Sequence, residues 1–138
     1  MLFTEVRGLP VVPADGGGRL GTVTSLVLDA AAGRVGHVRV RGGLLRRETV
    51  LGWDAMRSAG PAGLLVSPAA RAEDPAPGAR DLLESRVLTE TGHAAGVVLD
   101  AAFDPGTGRL LAVFTTRGEV APDRLLGLGD HALVVRAD

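Results

Sequence analysis

The chain has 138 residues, no cysteine and a formal net charge of −1, and arginine supplies all 15 of its lysine-plus-arginine positions. This balance excludes disulfide reinforcement and a global basic field that would gather nucleic acid. Lys, Asn, Gln, Ile and Tyr are absent, a bias that fits a GC-rich coding sequence and leaves a single arginine uninformative by itself.

Met1 to Arg7 is interrupted by charge before any apolar core forms, so it does not predict a signal peptide. No apolar run approaches the roughly 20 residues that span a bilayer. The expectation is a soluble, cytoplasmic protein. Leu9 to Pro13 predicts a short strand, Ala14 to Gly18 a turn and Arg19 to Asp29 a long second strand. Val23 and Leu26/Leu28 cannot share a face under strict alternation, and a bulge near Thr24-Ser25 reconciles them. Gly33 to Arg41 predicts a third strand. Leu44 to Glu48 is a loop carrying Arg46-Arg47, and Thr49 to Leu51 is a fourth strand. Gly52 to Met56 predicts a helical turn over a barrel mouth, and Ala62 to Ser67 a closing strand. The segment from Pro68 to Arg80, rich in Ala, Pro and Gly, is a linker.

The plan then repeats. Gly21 to Val35 matches Gly96 to Leu110 without a gap at a spacing of 75, with identities at Gly21/Gly96, Val23/Val98, Asp29/Asp104, Gly33/Gly108 and Arg34/Arg109. Arg86 to Thr89, Ala95 to Asp104, Arg109 to Thr116, Glu119 to Ala121 and Ala132 to Arg136 predict the second set of strands. Pro122 to Leu125 supplies its helical turn. The expected organisation is a first unit over 1–68, a linker over 69–80 and a second unit over 81–138. Each unit is a small, all-β antiparallel barrel with one short helical turn. Units of about 60 residues are marginal alone, so packing on each other or on a second chain, a homodimer included, would stabilise both.

The repeated turn has a mechanism. Asp104 can receive backbone N–H groups from the loop, Pro105 presets the first corner, and Gly108 can take a positive φ that closes a bulged hairpin. Asp29 and Gly33 keep those two positions in the first copy. Arg34 and Arg109 open the return strands, where the guanidinium groups can reach the turn carboxylates.

The motifs Gly21…Leu26-Val27-Leu28-Asp29…Gly33-Arg34-Val35 and Leu44-Leu45…Val50-Leu51-Gly52-Trp53-Asp54-Ala55-Met56 resemble the PRC-barrel family. Leu82 to Val87, Asp104 to Arg109 and Pro122 to Leu125 repeat the resemblance, which makes a tandem arrangement. PRC-barrel modules include the cytoplasmic domain of the photosynthetic reaction-centre H subunit and the C-terminal domain of the ribosome maturation factor RimM. The resemblance implies protein docking without catalysis, as an adaptor or scaffold. A ribosome- or RNA-associated assembly factor is the alternative, and a regulator of a photosynthetic or membrane electron-transfer complex a further one.

No constellation argues for chemistry. Gly16-x-Gly18-x-x-Gly21 lacks the following helix that a dinucleotide fingerprint needs. The loop from Asp104 to Gly108 lacks the alternating carboxylates of a calcium site. His37, His93 and His131 have no metal-ligand spacing. No nucleophile elbow accompanies Ser25 or Ser58. The expectation is no enzyme, no cofactor and no metal. Arg39, Arg41, Arg46 and Arg47 form the basic cluster that an anionic partner would meet, but no aromatic stacking residue lies near them, so nucleic acid is not favoured. Trp53 is expected to plug a barrel end.

The third strands differ between the copies. Alternation places Gly36, Val38 and Val40 inward and Val35, His37, Arg39 and Arg41 outward. By register the second copy then has Leu111, Val113 and Thr115 inward and Leu110, Ala112 and Phe114 outward. A strand apolar on both faces is usually covered on both. Leu110, Ala112 and Phe114 are therefore the expected interface, with the first barrel or across a homodimer.

Overall fold

A computed structural model describes residues 1–42, 48–73, 80–129 and 132–137. The first half holds a short helix, α1 (Phe3–Val6), then β1 (Pro10–Pro13), β2 (Gly21–Asp29), β3 (Arg34–Arg41), β4 (Glu48–Gly52), a 3₁₀ turn (Trp53–Ala55), β5 (Met56–Gly60) and β6 (Gly63–Val66). After β7 (Arg80–Asp81), the second half gives β8 (Arg86–Thr89), β9 (Ala94–Phe103), β10 (Leu110–Thr115), β11 (Gly118–Val120), a 3₁₀ turn (Pro122–Arg124), β12 (Leu125–Leu128) and β13 (Leu133–Val135). The chain is all-β in character and forms two β-rich units of like plan. One sheet has the order β4-β3-β2-β1-β6-β5 and the other β11-β10-β9-β8-β13-β12.

Two expectations change here. The sheets are not wholly antiparallel: β1 runs parallel to β6 and β8 parallel to β13. The 49 residues between β1 and β6 and the 43 between β8 and β13 allow the chain to return in the same direction, which a tight hairpin cannot do. The second change concerns β5 and β12, which follow directly from the 3₁₀ turns and pair with the closing strands. They were not apparent from the sequence because Met56-Arg57-Ser58-Ala59-Gly60 has no apolar alternation.

The hairpin turns follow the expected chemistry. Gly33 has φ 68° and Gly108 φ 80°. The Asp104 carboxylate accepts the Gly106 N–H at 2.8 Å and the Asp29 carboxylate the Ala32 N–H at 3.1 Å. The bulge sits at Thr24 in β2 and at its counterpart Leu99 in β9, which lets Val23 and Leu26, and Val98 and Ala101, all reach the core.

A second bulge overturns the expected faces of the third strands. Register shifts at Gly36 and at Leu111 place an extra residue in β3 and β10. Everything N-terminal to the shift changes face. Val35 and Leu110 are therefore buried, at 0% and 1% exposure, and Leu111 is 54% exposed. The inward assignment of Leu111 and the outward assignment of Leu110 are both corrected by this one residue.

The two halves are joined by reciprocal exchange of their leading arms. Arg80 and Asp81, which precede the second sheet, pair with Leu28 and Val27 of β2 in the first. Leu2, which precedes the first sheet, bridges Ala102 of β9 in the second, the counterpart of Val27. The Met1 ammonium donates to the Phe103 carbonyl at 3.0 Å, and the Phe103 N–H donates to the Met1 carbonyl at 2.8 Å. α1 follows this arm, and its Phe3 and Val6 are buried.

A local two-fold relates the halves. Arg34 and Arg109, equivalent positions in the repeat, form an antiparallel bridge with each other. The Val35 N–H donates to Gly108 O at 2.8 Å, and its symmetry counterpart, the Leu110 N–H, donates to Gly33 O at 2.9 Å. Around this axis Phe3, Trp53 and Phe103 complete one apolar core with the valines and leucines of both sheets. Phe103 is met edge-on by Phe3 at 5.5 Å and by Trp53 at 5.3 Å.

Candidate interaction surface

The basic cluster is largely committed within the chain. Arg39 Nη1 lies 2.8 Å from Asp81 Oδ1, and Arg39 Nε lies 3.7 Å from Glu48 Oε1. Two carboxylates thus neutralise the residue at the centre of the cluster. Arg41 is exposed and lines a groove of about 600 Å³ with Arg19, Thr22 and Thr24. Arg19 is itself tethered there, donating to Thr22 Oγ1 at 2.7 Å. Arg46 and Arg47 lie outside the described residues. His37 lies 4.0 Å from Glu73 Oε1, and the Thr91 hydroxyl contacts His93 Nδ1 at 3.0 Å. His131 lies outside the described residues. Among those described, no three His, Asp or Glu side chains gather as metal ligands would.

The turn arginines differ from the simple expectation. Arg34 reaches past Asp29 to Asp54, at 2.9 Å, in the neighbouring 3₁₀ turn. Both partners are substantially exposed, so the pair contributes under about 1 kcal/mol. Arg109, its symmetry counterpart, makes no ion pair among the described residues.

Of the apolar face read from the sequence, Leu110 is buried beside the two-fold, where its N–H bonds the Gly33 carbonyl. Ala112 is buried in the second sheet. Phe114 is half-buried, in register between Asp100 of β9 and Glu119 of β11. Leu110 and Ala112 are thus unavailable to a second copy.

Other apolar side chains on the same strands are exposed. Val97, Leu99 and Leu111 are exposed, Leu99 at 57%. Their counterparts in the first copy are Thr22, Thr24 and Gly36. The Thr24 hydroxyl is occupied, with its one proton shared between the Arg39 carbonyl at 3.2 Å and Glu48 Oε2 at 3.0 Å. Both leucines are the extra residues of bulges. A bulged residue escapes the pairing that sets its neighbours' faces, so sequence alternation cannot place it. The available signal was the comparison of copies: large apolar side chains in one stand opposite Thr and Gly in the other.

The other feature near the two-fold is an asymmetry. Trp53 is 2% exposed, covers Gly108 and donates from Nε1 to the Pro105 carbonyl at 3.3 Å. On the opposite side of the axis its counterpart is Pro122, at the first position of the second 3₁₀ turn. A groove of about 550 Å³ opens there, lined by Gly33, Arg34, Arg109, Leu110, Pro122 and Asp123 among others.

No helix among the described residues is long and apolar enough to cross a membrane. No curated protein sequence matches the chain. The PRC-barrel domain matches residues 1–70, the span that carries the first sheet with its Gly-Trp-Asp turn. Small β-barrel domains of this kind often mediate protein interactions. With half of its length matched and the same strand order repeated in the second sheet, the chain belongs to the PRC-barrel domain family.

Proposed function

We propose that this protein is a non-catalytic tandem PRC-barrel adaptor that docks a protein partner on the second sheet. The observation carrying this reading is the exposure of Val97, Leu99 and Leu111 where the first copy has Thr22, Thr24 and Gly36. Duplication starts two copies alike, and apolar residues exposed in one only suit a surface with a task the other lacks. Burial of two such leucines would contribute about 1.5–3 kcal/mol each, enough to act as the centre of a modest interface.

An RNA-binding role is less well supported, because Arg39 already faces Asp81 and Glu48. The test is capture of partners by the tagged full-length chain from its native cells, with and without nuclease, beside the Leu99→Ser/Leu111→Ser variant. Proteins retained after nuclease and lost with the double variant support the adaptor. Partners that vanish with nuclease, or that ignore the double variant, overturn this reading.

A further inference from the structure

The local two-fold makes a structural demand that only one half of the chain meets. On one side of the axis, Trp53 lies against Gly108, whose missing side chain makes room for it: a Cβ there would stand 2.9 Å from Trp53 Cδ1. The next residue, Asp54, takes the Arg34 guanidinium. On the other side, Gly33 stands in place of Gly108, Ala30 in place of Pro105, Leu28 in place of Phe103 and Arg109 in place of Arg34. Pro122 then replaces the indole. A Cβ on Gly33 would meet nothing within 4 Å, and the groove described above occupies the space.

We infer that this groove is a binding site for an aromatic side chain, an indole above all, carried on a partner protein segment and followed by an acidic residue. The inference rests on the adaptor reading for the existence of a protein partner, and it adds that partner's chemistry. The chain itself provides the template: the Trp53-Asp54 pair is the ligand that the mirrored site already holds. Half-buried Pro122 gives the groove an apolar side, and indoles combine a large apolar body with one N–H that needs an acceptor. Ala30 is the repeat counterpart of Pro105, whose carbonyl accepts the Trp53 Nε1 hydrogen at 3.3 Å. Charge agrees with shape. Arg109 lines the groove without an ion pair among the described residues, while the equivalent Arg34 is taken by the carboxylate following the tryptophan. Asp123, the counterpart of Asp54, also lines the groove, but lies too far from Arg109 to pair with it. A second copy of this chain cannot be the source, since Trp53 is its one tryptophan and is buried.

The probe is a capped hexapeptide with the sequence of residues 51–56, Leu-Gly-Trp-Asp-Ala-Met, titrated into the ¹⁵N-labelled full chain. The expected result is saturable shifts at the Ala32, Gly33, Thr107 and Leu110 amides, lost when the peptide's Trp is Ala and several-fold weaker when its Asp is Asn. Pro122→Trp should fill the groove from within, raise the melting temperature and abolish the shifts. Ala32→Glu, at an exposed turn position, should abolish them by bulk and charge if the first variant does not fold. Absence of saturable shifts, or shifts that survive a folded groove variant, overturns the inference. A chain that captures partners through Leu99 and Leu111 but ignores the peptide refutes this site alone. Peptide binding without any nuclease-resistant protein capture refutes the adaptor reading and leaves an indole site.

Discussion

Trp53 and Phe103 stand edge to face, with ring centroids 5.3 Å apart and planes at 83°, although one belongs to each copy of the repeat. The contact makes the stability of each half a property of the whole chain. Trp53→Ala should cost about 3–5 kcal/mol, the range for truncating a buried large aromatic. Both sheets should then melt together at a lower temperature, followed by far-UV circular dichroism. If only the first half's amides lose protection from exchange, the joint is not cooperative.

The two turn glycines should respond unequally to the same substitution. Each has positive φ, so Gly→Ala strains either turn by about 1 kcal/mol. At Gly108 the new methyl would also meet Trp53 Cδ1 at 2.9 Å and Val35 O at 3.1 Å. Denaturant titration should therefore rank Gly108→Ala as the more damaging by at least about 1 kcal/mol. Equal losses would mean that Trp53 moves aside without penalty.

Leu110 and Leu111 are neighbours with opposite surroundings. Leu110→Ala should destabilise by about 2–5 kcal/mol, and Leu111→Ala by no more than about 0.5. Urea unfolding of the two variants checks the bulge directly, because strict alternation with Leu111 inward requires the reverse order.

Deleting Met1 to Glu5 should loosen the sheet that is distant in sequence. The deletion removes the Leu2–Ala102 bridge, both Met1–Phe103 hydrogen bonds and buried Phe3. Hydrogen exchange should accelerate most at Ala102 and Phe103, ahead of residues in β3. Protection unchanged at those amides would show that the arm is dispensable.

Local chemistry made much of this architecture readable. Asp29, Gly33, Asp104 and Gly108 specify their turns through short-range hydrogen bonds and backbone preference. The conflict between Val23 and Leu26 announces the first bulge, because a polar pair lies between them. The second bulge gives no such notice: Leu110, Leu111 and Ala112 are all apolar, so either Leu110 or Leu111 can satisfy the core. What decides is the two-fold, which needs the Leu110 N–H at Gly33 O, and a contact between distant turns leaves no periodicity. The arm exchange was equally hidden. Met1-Leu2 is too short to read as a strand, and Arg80-Asp81 ends a stretch that composition marks as linker. The groove beside Pro122 emerges only when the copies are compared in space, since a missing tryptophan is silent in the sequence that lacks it.

The exchanged arms also govern the order in which the protein can be completed during synthesis. Met1 is synthesised well before its hydrogen-bond partner Phe103, which lies 102 residues later. The first sheet waits in the same way for Arg80 and Asp81 to cover the open edge of β2. At about 5–20 residues per second, the nascent first half spends several seconds with an uncapped strand edge and the buried faces of Phe3 and Trp53 unmet. Such an edge invites pairing with another nascent chain of the same sequence. Intertwined dimers, in which the arms of two chains have been traded, are therefore the misassembled product expected when translation is crowded or slowed. Size-exclusion chromatography after slow and rapid expression should show this product rising as synthesis slows.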